Sequence, residues 1–178
     1  MSNSIYNLSA YNSSLTYSKH DIVIRSGAYK TMSLNNQYLY CLEDGVTGAF
    51  DDTRWGGYIL DDINQTKPHF IWVPNYQSNV KNAPKTRVLK FDDGYESRIP
   101  NAINNNLIEI DLQFEGRTLA EITAITHFLT ERNAAESFVW AGRPPYSKNL
   151  RYVAREWSDT ETFVDNFTLT VKFEQVVN

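Results

Sequence analysis

The stretch that decides the fold is Ile108-Glu109-Ile110-Asp111-Leu112-Gln113-Phe114, in which apolar and polar residues alternate at every position. Alternation with a period of two places one row of side chains on a core and the other in solvent or an interface, so it predicts a β-strand. Shortly after it comes Thr118, whose hydroxyl can accept a hydrogen bond from a free amide at a helix start. Glu121, three residues on, completes the pattern of a capping box. The sequence therefore changes from strand to helix within a few residues.

One amphipathic helix is predicted from about Thr118 to Arg132, because apolar residues recur there at helical spacing. A further strand is predicted near Leu150 to Trp157, and a final alternating strand is predicted with Phe167, Leu169, Val171 and Phe173 inward. The side chains that we expect in the core of this region are Leu119, Ile122, Ile125, Phe138, Trp140 and Trp157.

A β-hairpin is predicted around Asp92-Asp93-Gly94, since Asp-Gly between apolar segments is a strong hairpin signal. Glycine adopts the positive φ of such a turn without steric cost. The C-terminal part then has three strands, one helix and three more strands. This order fits a mainly β fold, an antiparallel β-sandwich or barrel with one packed α-helix.

The composition excludes several classes of protein. Hydrophobic residues make up 42% and charged residues 21% of the 178, which is typical of a globular chain. A net charge of −4 disfavours general binding to a phosphate backbone. The single cysteine, Cys41, excludes an intrachain disulfide and a thiolate-cluster zinc site. Without the apolar run of ~18–20 residues that a spanning helix needs, and with a polar start unlike a signal peptide, we expect no membrane partner and assembly from the cytoplasm.

The first 67 residues are expected to form a small all-β module, because short β-favouring pieces alternate there with turn residues; these pieces are Ile22-Val23-Ile24, Tyr38-Leu39-Tyr40-Cys41-Leu42 and Trp55-Gly56-Gly57-Tyr58-Ile59-Leu60. All six prolines lie at or after Pro68, which suggests a division of the chain into residues 1–67 and 68–178. A module of this size has a marginal core. It should therefore lean on the larger part or on a neighbouring subunit.

Motifs that carry catalysis are missing from the sequence. It contains no Gly-x-Ser-x-Gly elbow, no phosphate-binding glycine-rich loop and no His-Glu-x-x-His helix. Adjacent acids occur at Asp51-Asp52, Asp61-Asp62 and Asp92-Asp93, but neighbours in a strand point to opposite faces and acids in turns cap the backbone. We therefore expect no enzyme activity, no metal site and no cofactor.

Aromatic residues make up 13% of the chain. The four that could line a flat stacking surface for sugar rings are Tyr38, Tyr40, Trp55 and Tyr58. They could instead fill the core of the N-terminal module. Core packing is favoured, because a module of this size has few other large apolar residues.

Motifs after residue 70 resemble the minor tail protein M family of lambda-like phages. In chain order these are Phe91-Asp92-Asp93-Gly94-Tyr95-Glu96-Ser97-Arg98, Asn105-Asn106-Leu107, Phe128-Leu129, Ser137-Phe138-Val139-Trp140, Pro144-Pro145-Tyr146, Trp157 and Phe173-Glu174-Gln175-Val176-Val177-Asn178. The resemblance covers roughly residues 70–178. It implies a tail-tube-like β-sandwich with one helix, located in the virion tail as a ring at the distal end of a long non-contractile tail.

The resemblance also implies a set of partners. The subunit would form a ring with copies of itself, a hexamer in the family, between the tail-tube protein and the distal tail or hub proteins. The tape-measure protein and later the DNA would occupy the lumen. A net acidic subunit is consistent with DNA that passes without specific binding.

A closed ring requires two different, complementary patches on every copy. Strand edges are natural candidates, because pairing an edge with a neighbour satisfies its free backbone groups. We expect these contacts in the hairpin and the C-terminal strand. The candidate residues are Asp92, Asp93, Gly94, Tyr95, Arg98, Phe173 and Gln175.

A second hypothesis assigns carbohydrate binding to residues 1–67. The segments Tyr17-Ser18-Lys19-His20-Asp21-Ile22-Val23, Tyr38-Leu39-Tyr40 and Trp55-Gly56-Gly57-Tyr58 resemble small chitin- and cellulose-binding modules. This resemblance implies a module displayed on the tail for attachment to the host surface. The two hypotheses are compatible, because a ring would present such modules multivalently.

Overall fold

A computed structural model describes residues 8–142, 144–146 and 150–177. Its strands are β1 (Ile22–Tyr29), β2 (Met32–Cys41), β3 (Trp55–Gly56), β4 (Tyr58–Leu60), β5 (Thr66–Pro68), β6 (Asn79–Asn82), β7 (Thr86–Lys90), β8 (Glu96–Pro100), β9 (Ile108–Arg117), β10 (Phe138–Trp140), β11 (Leu150–Phe163) and β12 (Asn166–Gln175). Among the described residues there is one α-helix, α1 (Leu119–Arg132), and a short 3-10 helix at Asp52–Arg54. The prediction of a mainly β fold with one helix is confirmed.

Five strands form the main sheet, in the order β10-β11-β12-β9-β6, and this antiparallel sheet is curled into half a barrel. The register of β9 and β12 places Leu112 beside Val171 and Ile110 beside Phe173. The alternating residues of the two strands therefore share one apolar face. Helix α1 lies on that face, where Ile125 joins the same buried cluster.

The start of α1 is fixed by two side chains that accept hydrogen bonds from its free amides. Thr118 Oγ1 accepts from the Glu121 N–H at 3.3 Å, as predicted. The Asp165 carboxylate accepts from the Leu119 N–H at 2.7 Å. The other half of the predicted capping box is replaced, since the Glu121 carboxylate binds the Arg117 guanidinium at 3.0 Å.

The N-terminal part has its own sheet, in the order β1-β2-β3, and a second buried cluster. That cluster consists of Tyr17, Val23, Tyr29, Met32, Leu34, Leu39, Cys41, Val46, Trp55 and Tyr58. Two residues of the same part, Ile22 and Tyr40, belong instead to the main core. The N-terminal part therefore packs on the main body, and the proposed boundary after residue 67 stays a prediction.

The observed strands differ from the prediction in three places. The apolar run from Trp55 to Leu60 is divided into β3 and β4, because Gly57 between them has a φ of +130°. Strand β6 was not predicted, since its sequence lacks an alternating apolar pattern. Strand β11 continues to Phe163, because its polar second half pairs with β12.

Candidate interaction surfaces

Most of the predicted core residues are buried. Ile122, Ile125, Phe138 and Trp140 are buried, and Trp157 is half-buried against the same cluster. The prediction for Leu119 is wrong, because its side chain is 53% exposed. It occupies the first position of α1, where helical spacing alone does not decide which side faces the sheet.

The four aromatic residues offered for sugar stacking do not form an exposed face. Trp55, Tyr40 and Tyr58 are 0%, 1% and 5% exposed. Tyr38 is half-buried, with its ring centroid 4.6 Å from that of His127 on α1. Their burial agrees with the core-packing alternative, and three of the side chains instead join the N-terminal part to α1.

The contact between the N-terminal part and α1 is called the joint here, and its first link connects Tyr40 and His127. The Tyr40 hydroxyl lies 3.1 Å from His127 Nδ1, and both side chains are buried. Burial, together with the nearby Arg132 guanidinium, lowers the pKa of His127 to about 4. Burial also raises the pKa of the Tyr40 phenol well above its usual value. Near neutral pH the link is therefore a hydrogen bond between two uncharged groups.

The second link is made by Arg132, which is 6% exposed at the end of α1. Its Nη1 donates to the Tyr58 hydroxyl at 3.3 Å, and its guanidinium carbon lies 5.1 Å from the centroid of the Phe128 ring. Glu136 lies 3.2 Å from Nε. Burial lowers the pKa of Arg132, but Tyr58 and Glu136 outweigh this effect and raise it, so the charge is retained.

The third link joins the β4–β5 turn to β11 through an ion pair between Asp61 and Arg151. Asp61 also accepts hydrogen bonds from the N–H groups of Ile63 and Gln65, at 3.1 and 2.8 Å. Burial raises the pKa of Asp61, but the two amides and the Arg151 guanidinium lower it below the ordinary value. Sequence analysis missed these three links, because each joins residues that are far apart in the chain.

The predicted hairpin is present as β7 and β8, joined by a turn in which the Phe91 N–H donates to the Tyr95 carbonyl at 2.8 Å. The proposed contact residues here are Asp92, Asp93, Gly94, Tyr95 and Arg98, all of them exposed. Arg98 forms an ion pair with Glu96 on its own strand.

The hairpin has one apolar face and one charged face. The register places Leu89 opposite Ser97 and Arg87 opposite Ile99. With a period of two, the mainly apolar face carries Leu89, Phe91, Tyr95 and Ile99, which are 38%, 56%, 73% and 47% exposed, together with Arg87 and Ser97. β7 and β8 form a sheet of their own rather than joining the main sheet. An isolated two-stranded hairpin is marginally stable in water, so this exposed face favours contact with another surface.

The two contact residues predicted on the C-terminal strand, Phe173 and Gln175, make contacts within the subunit. The prediction of Phe173 as a subunit contact is wrong, because the side chain faces inward, is 0% exposed and has its ring centroid 4.9 Å from that of Phe138. Its alternation with polar neighbours places it on the core side of β12. Gln175 is half-buried, and its Oε1 accepts from the Ile108 N–H at 3.2 Å.

Within residues 8–142, 144–146 and 150–177, no group of three His, Cys, Asp or Glu side chains could hold a metal ion. Asp51, an acid from one of the adjacent pairs, caps the 3-10 helix by accepting from the Thr53 N–H at 3.0 Å. Cys41 is a buried free cysteine, and burial raises its pKa. None of the helical segments in the described chain has the length and apolar character needed to cross a bilayer.

The family comparison concerns the part of the chain that contains the main sheet, α1 and the hairpin. Residues 68–177 match the family described as phage minor tail protein, and the chain belongs to this family. It is therefore a structural component of the virion tail. It is 30% identical to Tail tip protein M of Escherichia phage lambda over 110 residues, which are 61% of this chain and 97% of that protein. The N-terminal part up to residue 67 lies outside the family match.

Proposed function

We propose that this protein is a tail-tip subunit that forms a homo-oligomeric ring at the distal end of the tail tube. The ring joins the tube to the hub proteins and surrounds the channel through which DNA passes, and it catalyses no reaction. The name of the lambda relative, Tail tip protein M, supports this position in the virion. Six copies are expected, in line with the family resemblance.

The observation that carries the proposal is the exposed apolar face of the β7–β8 hairpin. Its four large side chains, Leu89, Phe91, Tyr95 and Ile99, are exposed, whereas most aromatic residues of the described chain lie in or against two buried clusters. Contiguous apolar surface of this kind is typical of protein–protein contacts. The five-stranded main sheet provides a frame for repeated subunit contacts.

The test is to locate and count the protein in purified tails. Cryo-electron microscopy of tail tips, with an antibody fragment against the N-terminal part as a fiducial, should show one ring of identical subunits at the distal end of the tube. Mass spectrometry of the same tails should give a fixed copy number. The protein's absence from purified tails, or its presence as a single copy, would contradict the proposal.

A further inference from the structure

We infer that strand β7 of one copy pairs edge to edge with strand β11 of the next copy, and that this pairing is the ring contact. The inference rests on the proposed self-association and names the two surfaces that meet. It follows from two open strand edges, their opposite charges and the register that aligns those charges.

The acceptor edge is the second half of β11. Strand β10 covers only Leu150–Tyr152 of this strand, and β12 lies on the other side. Along Glu156–Glu161 the side away from β12 therefore has no neighbouring strand within the described chain. These residues are exposed apart from the half-buried Trp157. An open edge of this length is a template for pairing with another chain.

The donor edge is β7. It pairs with β8 on one side, and all five of its residues are exposed. No other strand of the described chain lies beside it. The hairpin therefore presents a second open edge, and the preceding Lys85 extends its side-chain row to six residues.

The two edges carry opposite charges. Glu156–Glu161 contains three acids, Glu156, Asp159 and Glu161, and no basic residue. Lys85–Lys90 contains three basic residues, Lys85, Arg87 and Lys90, and no acid. Like charges directly opposite each other destabilise a strand pair, whereas opposite charges stabilise it. Pairing β7 with β7, or β11 with β11, would therefore bring like charges together. Pairing β7 with β11 brings opposite charges together and is favourable.

An antiparallel register with Val88 opposite Ser158 aligns all three charges. It places Lys90 opposite Glu156, Arg87 opposite Asp159 and Lys85 opposite Glu161. It also places Leu89 opposite the half-buried Trp157. The paired run lies between the two irregularities of β11, after Ala154 and after Glu161, where the strand is regular.

This pairing is heterologous, because the two edges are different surfaces of one chain. A heterologous contact repeats from copy to copy and closes into a ring when the rotation permits. The main sheet of each subunit would continue into the hairpin of its neighbour. The backbone groups of both edges would then be satisfied, and the hairpin would gain the third strand that stabilises it.

The experiment reverses the charges of one edge at a time in the full-length chain. Arg87→Glu/Lys90→Glu and Glu156→Lys/Asp159→Lys should each reduce self-association at least tenfold, measured by analytical ultracentrifugation over a concentration series. The four substitutions combined in one chain should restore association, because the charges are again opposite. Lys19→Glu/Lys30→Glu, which changes the net charge as Arg87→Glu/Lys90→Glu does but at exposed sites away from both edges, should associate like the wild type. Circular dichroism establishes that every variant is folded.

A cysteine pair tests the register. Val88→Cys/Ser158→Cys should give disulfide-linked multimers on a non-reducing gel, whereas Val88→Cys/Glu161→Cys should not. Wild-type protein that stays monomeric at every concentration would overturn both the ring and this contact. Wild-type association that survives both charge reversals would overturn the contact while leaving the ring intact.

Discussion

At the scale of single residues, the buried polar groups between the N-terminal part and α1 are the most informative. His127 is 2% exposed, lies beside the Tyr40 hydroxyl and has Arg132 close by. Glu131 lies 4.0 Å from Nε2, but its attraction for a proton on the ring does not offset burial. The surroundings of His127 in the joint therefore favour the neutral form of its imidazole.

The first prediction concerns pH. The pKa of His127 is about 4 in the folded protein and about 6.5 when unfolded. Between these values the unfolded chain binds a proton that the folded chain does not. The stability that His127 contributes is therefore fully present above pH 6.5 and is lost as the pH decreases toward 4. The slope from one such group is at most about 1.4 kcal/mol per pH unit. His127→Gln should reduce this slope, as measured by urea denaturation at a series of pH values.

In His127→Gln, the free energy of unfolding should still depend partly on pH, because burial also lowers the pKa of His69. His69→Gln is the matched variant, and each substitution should remove a separate part. An unchanged slope in His127→Gln would show that this histidine is not the acid-sensitive group of the joint.

The second prediction concerns Gly57, which separates β3 and β4. Its φ is +130°, and a Cβ built there would lie 3.1 Å from both the Tyr38 carbonyl oxygen and the Tyr40 ring. Gly27, with a φ of +106°, has no such neighbours. Gly57→Ala should destabilise the protein by about 1–3 kcal/mol more than Gly27→Ala, since it adds overpacking to backbone strain. Denaturant unfolding measures the difference, and equal costs would contradict the close packing at Gly57.

At the scale of elements, the strand-to-helix transition depends on capping. Thr118 supplies the hydroxyl that accepts from the Glu121 N–H. The neighbouring Asp165 carboxylate, from the β11–β12 turn, accepts from the next free amide. Helix α1 is therefore positioned by its own sequence and by a turn that lies more than 40 residues further along the chain.

The third prediction is that Thr118→Ala destabilises the protein by about 1 kcal/mol, because the Glu121 N–H loses its acceptor. Thr118→Ser keeps the hydroxyl and should stay close to the wild type. Chemical denaturation followed by far-ultraviolet circular dichroism measures both. Equal stability of the alanine and serine variants would mean that the Asp165 carboxylate is sufficient to hold the helix start.

At the scale of the whole molecule, burial separates residues that pack the core from residues that we propose for assembly. Phe173 and the hairpin residues Phe91 and Tyr95 are all large aromatics in the region that matches the family. The first is fully buried, whereas the other two are 56% and 73% exposed. Burial therefore separates their expected roles.

The fourth prediction uses this contrast. Phe91→Ser/Tyr95→Ser should change the free energy of unfolding by less than about 0.5 kcal/mol, because both side chains are exposed. The same variant should lose self-association, as measured by mass photometry. Phe173→Ala should instead lower stability by about 3–5 kcal/mol by opening a core cavity. Normal assembly of the hairpin variant would show that the apolar face is not part of the subunit contact.

Much of the fold could be predicted because its signals are local. The alternation from Ile108 to Phe114, the Asp-Gly turn at the hairpin tip and the Thr118 cap each act within a few residues. Strand β6 escaped prediction, because its place at the sheet edge comes from pairing with β9 and not from its own pattern.

The candidate surfaces could be predicted only in part. The hairpin was found from its turn, but Phe173 and Leu119 have the same apolar character and opposite burial. Periodicity identifies a row of side chains, but it does not say which elements will cover that row.

The sequence by itself determined the mainly β class, the single helix, the hairpin and the family, since these depend on short-range patterns and on ordered motifs. Only the tertiary structure decided that Tyr40 and Tyr58 meet His127 and Arg132, that Asp61 meets Arg151, and that the edges of β7 and β11 stay open. The physical reason is that hydrogen bonds, ion pairs and strand pairing act over a few ångströms in space. Which residues come within that distance depends on how the whole chain packs.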